Sequence, residues 1–189
     1  MNNDNRIDQA TLKLKRNQTF FSLASFVTKD HPVIKALTDF AMGKTEWSSL
    51  RPYIKSRVIL NYASGHNIIA LDGRRNIMAR LAGDNTNDID ITHGALGAGS
   101  TAFIENNHGL TNEIYRCVPN STSFENDTMY ADFFIGAGDV ANQTFNEWAT
   151  FMAGTMARNS GLAFSLFLTG GWVKTGSMFV SSKYQLLNA

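Results

Sequence analysis

Hydrophobic and polar residues alternate along most of the second half of the chain. The alternation is clearest over residues 162–168 and again over 178–187. A period of two places every second side chain on the same face of a β-strand. Burying one Leu or Phe contributes about 2 kcal/mol, so several on one face determine which face turns inward. Six strands are predicted in this region, at residues 89–96, 112–118, 128–135, 144–152, 162–168 and 178–187.

A further strand and one helix are predicted before this region. Residues 58–62 alternate in the same way, which is typical of a strand. Over residues 72–83 the apolar spacing becomes that of a helix, and Gly83 supplies a C-terminal stop. Ile77, Met78 and Leu81 are predicted on its apolar face. The pattern indicates a single short helix packed on a sheet.

The N-terminal third has a different pattern. Residues 1–16 are polar and charged, which is typical of an arm that only a neighbouring subunit would order. The apolar residues of 17–27 favour a helix, although the adjacent Phe20 and Phe21 also suit a short strand. Asp30 and Pro32 are suited to begin a second helix, predicted at residues 32–42.

These elements predict a mainly β fold. Six or seven antiparallel strands with turn residues between them are most simply arranged as a β-sandwich, jelly-roll-like in outline, with one packed helix. The helices near the N-terminus add a helical arm. We therefore expect an N-terminal arm and helical cap at residues 1–55 and a β-sandwich domain at residues 56–189.

Composition and charge argue against two classes of partner, nucleic acids and membranes. The 17 basic and 16 acidic residues give a net charge of +1, which offers no field for a nucleic-acid backbone. The longest apolar runs are too short to span a bilayer, so no membrane partner is expected. No secretory signal precedes the first predicted element, which favours synthesis in a cytoplasm. The single cysteine, Cys117, is expected to be a buried hydrophobic residue.

Asp88, Asp90 and His93 are the nearest approach to a metal or acid-base cluster. The two carboxylates would share one side of a strand, but His93 has the opposite parity and could join them only across a bulge. A solvated strand edge is the favoured interpretation. No catalytic residue, metal ligand or cofactor is predicted, and the chain is not expected to be an enzyme.

Three glycines follow the same strand signal. Gly94, Gly97 and Gly99 could expose backbone amides that bind a phosphate. Their spacing matches neither the dinucleotide fingerprint nor a P-loop, and no lysine follows the last of them. Tight turning or a close approach between strands is therefore the favoured role.

Trp172 and Lys174 are the residues predicted to contact a ligand or partner. Both follow the pair Gly170 and Gly171, which predicts a loop that exposes the indole ring. An exposed tryptophan could stack on a sugar ring. This prediction is the basis for a glycan-binding alternative.

The order of several short motifs from residue 58 onward resembles that of small virion proteins of tailed bacteriophages. The motifs are Gly73-Arg-Arg-Asn-Ile-Met-Ala-Arg-Leu-Ala-Gly83, Ile91-Thr-His-Gly-Ala-Leu-Gly-Ala-Gly-Ser-Thr101, Glu113-Ile-Tyr-Arg116, Glu147-Trp-Ala-Thr-Phe151 and Trp172-Val-Lys-Thr175. The resemblance covers about two thirds of the chain. It departs from those proteins at residues 1–55, where they have a shorter N-terminus.

The resemblance implies a non-enzymatic structural protein in a virion, and it brings no catalytic residues with it. The implied partners are copies of the chain itself and other virion proteins. A tail, baseplate or fibre-attachment location is preferred to a capsid-decoration or head-spike location. A carbohydrate-binding or receptor-binding module is the alternative from another class.

Overall fold

A computed structural model of the chain describes residues 19–26, 32, 35–36, 39, 45, 47–52, 59–125, 128–136, 138–174 and 179–187. The fold is mainly β, an antiparallel sandwich with one packed α-helix, α1 (Leu71–Leu81). The described strands are β1 (Thr19–Phe26), β2 (Ile59–His66), β3 (Ile68–Ile69), β4 (Ile91–Gly97), β5 (Glu113–Cys117), β6 (Ser121–Glu125), β7 (Thr128–Ile135), β8 (Gln143–Met152), β9 (Leu162–Lys174) and β10 (Phe179–Leu187). The predicted arm at residues 1–16 lies outside the described residues.

The strands form two five-stranded sheets. Sheet A has the order β2-β1-β10-β7-β6, and sheet B has the order β3-β9-β8-β4-β5. Every described pair is antiparallel. Strand β5 ends sheet B and β6 ends sheet A, and only residues 118–120 connect them. These two edges therefore lie on the same side of the sandwich.

A large hydrophobic core fills the space between the sheets. At its centre the ring of Phe133, from sheet A, meets that of Trp148, from sheet B, edge to face with 5.3 Å between centroids. A Cβ atom on Gly94 would lie 2.7 Å from the Trp148 ring and 2.8 Å from the Phe133 ring. The missing side chain thus makes room for both aromatic rings. Ile91 and Leu96 are buried in this core and Ala95 is buried on the opposite face of β4, so the strand predicted at residues 89–96 lies in the interior of the protein.

A second, smaller hydrophobic cluster covers the face of sheet B that is turned away from sheet A, here called the outer face. Ala95 pairs with Ala149 across β4 and β8. The small side chains at both positions leave room for other residues to pack on this face. Phe103 and Leu110, from the long connection between β4 and β5, pack on it together with Phe151. The connection is therefore a third layer that covers part of the sandwich.

Helix α1 packs on β9 through small and polar residues. A Cβ on Gly73 would lie 2.6 Å from Phe164 Cδ2 and 2.8 Å from its Cα, so the helix can approach this closely only with glycine there. The predicted helix is confirmed, but its predicted apolar face is right only for Ile77, which packs against the main core. Met78 is 59% exposed and Leu81 is 77% exposed, whereas Gly73 and Asn76 are buried. The period identifies the helix, but the close approach at glycine decides which side faces the sheet.

The prediction of a helix at residues 17–27 is wrong. Residues Thr19–Phe26 form β1, which pairs with β10 on one side and β2 on the other. A short apolar run does not distinguish helix from strand, and long-range pairing decided between them here. The expected N-terminal arm and cap, residues 1–55, thus contains a strand of the sandwich itself.

Strand β6 was not predicted. All five of its residues are exposed, and only Phe124 is a large apolar residue. A strand at the edge of a sheet with both faces open carries little periodic signal. Farther upstream, Pro32, Lys35, Ala36 and Asp39 have helical geometry within the predicted helix 32–42, and Lys35 forms an ion pair with Asp39.

Candidate functional site

Four buried polar side chains lie together on the outer face of sheet B. They are His93, Glu113, Arg116 and Glu147, and each is largely or fully removed from solvent. The register brings them together, because β4 lies between β5 and β8 and places His93 opposite Phe151 and Gly97 opposite Glu147. Buried charges are costly unless they are paired or hydrogen bonded, so their partners define what this site does.

The Glu147 carboxylate binds backbone amides of the connection between β4 and β5. It accepts hydrogen bonds from the amides of Gly99 at 3.1 Å, Thr111 at 3.2 Å and Asn112 at 3.4 Å. The side chain is 0% exposed. Hydrogen bonds to an ionised acceptor are stronger than neutral ones, and these hold both ends of the connection against the sheet.

The predicted glycine motif has its role here. A Cβ on Gly97 or Gly99 would overlap a carboxylate oxygen of Glu147, so both positions must be glycine for the carboxylate to fit. None of Gly94, Gly97 and Gly99 has a positive φ. Close approach, not a bend, is therefore the reason for all three glycines. Amides in this segment do bind an anion, and the anion is a side chain of the same protein.

Glu113 and Arg116 form a buried, two-pronged ion pair. The Arg116 Nε donates to Glu113 Oε1 at 2.7 Å and its Nη2 donates to Oε2 at 2.8 Å. The guanidinium also lies 4.2 Å from the centroid of the Phe151 ring, which adds a cation-π contact. This geometry fixes the arginine in one orientation on the outer face.

The same pair fastens the loop between β8 and β9, residues 153–161. Arg116 Nη1 donates to the carbonyl of Ser160 at 2.8 Å, and Glu113 Oε2 accepts from the amide of Asn159 at 3.0 Å. The loop turns through left-handed conformations at Ala153, with φ 48°, and at Asn159, with φ 55°. Non-glycine residues rarely adopt this region, so the contacts of the pair help to hold the loop in place.

His93 lies beside this pair. Its ring is buried, and within the described residues its Nδ1 has no hydrogen-bond partner. Burial lowers the pKa of His93 and the charge of Arg116 lowers it further, while Glu113 opposes the shift. The neutral imidazole is therefore the form that fits the folded protein.

Asp88, Asp90 and His93, considered above as a metal or acid-base cluster but favoured as a solvated strand edge, do not come together as a site. Both aspartates are exposed while the histidine is buried. Among the described residues there is no group of three or more His, Cys, Asp or Glu placed to hold a metal ion. The carbonyl of Asp88 instead accepts a hydrogen bond from the Asn76 side chain, which joins α1 to the start of β4.

The predicted exposure of Trp172 is wrong, and Lys174, predicted with it as a contact residue, is buried as well. Trp172 is 8% exposed and its ring packs against Phe145 at 5.7 Å between centroids, and Lys174 is 0% exposed. Strand β9 continues through Gly170 and Gly171 to residue 174. The two glycines have φ of 92° and 82°, beside a shift in register with β8, so they form a bulge and not a loop.

Lys174 belongs to a polar group at one end of the main core, together with Tyr115, Cys117 and Asp139. Burial lowers the pKa of Lys174, and the charge of Asp139 opposes this shift. Burial raises the pKa of Cys117 to about 12, with a further rise from Asp139. Burial, aided by the Asp139 charge and its hydrogen bond to the hydroxyl, also raises the pKa of Tyr115. The Cys117 thiol therefore stays protonated and unreactive at neutral pH.

Two surface depressions lie away from the outer face. One, of about 210 Å³, is lined mainly by polar residues of α1 and the following turn, including Asp72, Arg75 and Asp84. The other is a groove of about 540 Å³ between β6 and the start of β4, here called the edge groove. It is lined by Ile89, Asp90, Ile91, Pro119, Thr122, Ser123, Phe124 and Met129.

Comparison of the chain with known proteins found no matching protein family, no matching curated protein and no matching solved structure. No helix in the described part of the chain is long and apolar enough to cross a bilayer.

Glu113, Arg116 and Glu147 were present in the sequence only as members of short motifs. Each has an apolar or aromatic neighbour within a strand, which is the signal that could have identified it as a buried charge. Glu113 and Arg116 are only three residues apart, but the main-chain groups that they and Glu147 bind in the loops lie more than thirty residues away. Sequence spacing therefore could not bring them together.

Proposed function

We propose that this chain is a non-enzymatic structural protein of a tailed-phage virion. It assembles through its N-terminal arm and the surface of its sandwich into the tail, baseplate or fibre-attachment region. The observation that carries this proposal is that the buried charges on the outer face bind main-chain groups of the loops. Glu147 binds amides of the β4-β5 connection, and the Glu113-Arg116 pair binds the main chain of the β8-β9 loop.

Charges used in this way stabilise loops, which is what an assembly subunit requires. A catalytic carboxylate or base has to face a substrate, whereas both of these carboxylates face backbone amides within the protein. The long connections are thereby held as a fixed outer layer on sheet B. A rigid surface that loses little conformational freedom on association favours tight packing between subunits.

The motifs that carry the resemblance to phage virion proteins coincide with this framework. Gly97, Glu113, Arg116 and Glu147 all belong to them, and so does the buried Lys174. Motif residues that hold a sandwich together are consistent with a shared architecture and no shared chemistry. The preference for tail over head rests on the resemblance alone.

The glycan-binding alternative was motivated by an exposed Trp172. Because this ring packs in the core against Phe145, it offers no face to a sugar. No other described observation favours this alternative. A glycan array probed with the full-length chain should accordingly show no signal that depends on Trp172.

Immunogold electron microscopy of purified particles of a phage that encodes this chain tests the proposed function. Antibodies against the folded chain should label one structural position, at the tail, baseplate or fibre attachment. Label on the capsid surface would support the decoration or head-spike alternative. Purified particles without label and without peptides of this chain by mass spectrometry would overturn the proposal.

A further inference from the structure

The edge groove and strand β6 together form an incomplete sheet edge. Strand β6 pairs with β7 on one side, and within the described residues nothing pairs with its other side. It contains no proline, lysine or bulge, three of the devices that protect an edge from pairing, and its one charged residue is Glu125 at its end. A further strand could therefore add to sheet A at this position.

The two faces of this edge differ in chemistry. Phe124 pairs with Met129 across β6 and β7, so both side chains turn to the same face, where they line the groove with Ile89 from sheet B. Phe124 is 71% exposed there. On the opposite face lie Glu125 and Asp132, because Ser121 and Glu125 share a parity and Ser121 pairs with Asp132. An added strand would thus meet, on one side, a groove that combines apolar side chains with the exposed Asp90. On the other side it would meet Glu125 and Asp132, of which Asp132 also accepts a hydrogen bond from Ser121.

Residues 11–15 of the N-terminal arm have the matching pattern. Their sequence is Thr-Leu-Lys-Leu-Lys, in which apolar and basic residues alternate with a period of two. In an extended conformation Leu12 and Leu14 share one face while Lys13 and Lys15 share the other. Two leucines would then enter the groove as the two lysines approach Glu125 and Asp132.

If residues 11–15 pair with β6, the register of sheet A requires that they come from another molecule. Thr19, Leu186, Met129 and Phe124 lie in one row across sheet A. A strand added beyond β6 lies four strand spacings from β1, about 19 Å away. Residues 15 to 19 of the same chain span at most about 14 Å when fully extended. The arm is too short to place residues 11–15 on the edge of its own sheet.

We propose that residues 11–15 of a second copy of this chain add to strand β6 as a sixth strand of sheet A, with Leu12 and Leu14 in the edge groove. The interface deepens the proposed function, because it rests on assembly between subunits and names the surfaces that meet. Each subunit gives one arm and receives one, so the contact is heterologous and builds rings or longer stacks.

Cross-linking of full-length cysteine variants tests this pairing. Leu14→Cys and Thr122→Cys chains are mixed and treated with a short bismaleimide, while the wild-type Cys117 is buried. A covalent dimer that forms only in the mixture is the expected result. A Thr122→Cys dimer formed without the partner would show that two β6 strands pair with each other, and would overturn the proposal. An intramolecular link in a chain carrying both cysteines would overturn it too, in favour of the chain's own arm.

Association measured by sedimentation provides the second test. Leu12→Asp/Leu14→Asp should weaken association on the order of tenfold or more, since each leucine loses its buried contact. Ile7→Asp, in the same arm but outside the alternating segment, and Met156→Asp, an exposed apolar residue far along the chain, are the matched controls and should leave it unchanged. Oligomers that persist in the double variant would overturn the arm-to-edge pairing while leaving the proposed virion role in place.

A charge exchange distinguishes specific pairing from loss of folding. Lys13→Glu/Lys15→Glu should weaken association, and adding Glu125→Lys in the same chain should restore it at least in part. Recovery is expected only if these charges meet across the interface. No recovery, with all variants folded by circular dichroism, would contradict the assigned faces.

Discussion

Glu147 is the residue on which the outer layer of the protein depends most. Its carboxylate lies between β8 and the β4-β5 connection, and its three amide partners come from both ends of that connection. Gly97 and Gly99 provide the space for it. One side chain and two missing side chains thus determine the position of about fifteen residues of loop.

Replacement of Glu147 by glutamine should destabilise the protein by about 2–3 kcal/mol. The amide group offers one acceptor oxygen where two accepted before, and its NH₂ group would face backbone donors. Urea unfolding followed by tryptophan fluorescence measures the loss. Glu105→Gln, at an exposed carboxylate, is the control and should change stability by less than about 0.5 kcal/mol. Equal midpoints for the two variants would contradict the anchoring role.

His93 makes stability depend on pH. Because its pKa in the folded protein lies below the ordinary 6.5, the unfolded chain binds the proton more readily. Stability should therefore be constant well above pH 6.5 and fall as the pH drops through 6.5 toward the lowered value, where a proton would place a second positive charge beside Arg116. Thermal melting from pH 8 to pH 5 measures this dependence.

The His93→Gln variant should lose this part of the pH dependence, and His108→Gln, at an exposed histidine, should retain it. A wild-type melting temperature that rises on acidification through this range, or an unchanged slope in His93→Gln, would show that the buried imidazole is not responsible.

At the scale of elements, most strands of the second half were predictable from the sequence. Strands β1 and β6 were not. A strand whose burial alternates, such as β7, has a period of two that appears in the sequence. Strand β1 has a mixed apolar run whose structure depends on pairing with β10, more than 150 residues later. Strand β6 is exposed on both faces, and neither periodicity nor apolar content marks it.

The candidate site was less predictable than the fold. Trp172 and Lys174 follow a Gly-Gly pair that would usually end a strand, yet the pair forms a bulge within β9 and both side chains are buried. Gly94, Gly97 and Gly99 were predicted to serve either tight turning or close approach, and what approaches them lies on β7, β8 and the β4-β5 connection. Such contacts follow from the register of sheets, which local patterns do not specify.

The packing of α1 on β9 allows an element-scale prediction. Gly73→Ala would bring a Cβ within 2.8 Å of backbone in β9, which cannot yield as a flexible side chain would. The helix should move outward, at a cost of about 1–3 kcal/mol that exceeds the gain in helix propensity of about 1 kcal/mol. Chemical unfolding of Gly73→Ala, with the exposed Arg75→Ala as control, measures the difference. A stabilised Gly73→Ala protein would contradict the close contact.

At the scale of the whole molecule, two features serve the proposed assembly. The outer face of sheet B is held rigid by buried charges that bind the loops, while the edge groove and β6 leave one sheet incomplete. A rigid block with an open edge at β6 and a segment of complementary pattern in its N-terminal arm is suited to repeated assembly. Residues 1–16 precede β1, so an assembly that uses them need not disturb the sandwich.

The native mass of the full-length chain is the measurement that tests assembly most directly. Sedimentation equilibrium over a wide range of concentrations should give a mass that is an integral multiple of the chain mass, and Leu12→Asp/Leu14→Asp should shift it toward the monomer with the fold intact. A wild-type chain that remains monomeric at every concentration would contradict the proposed assembly.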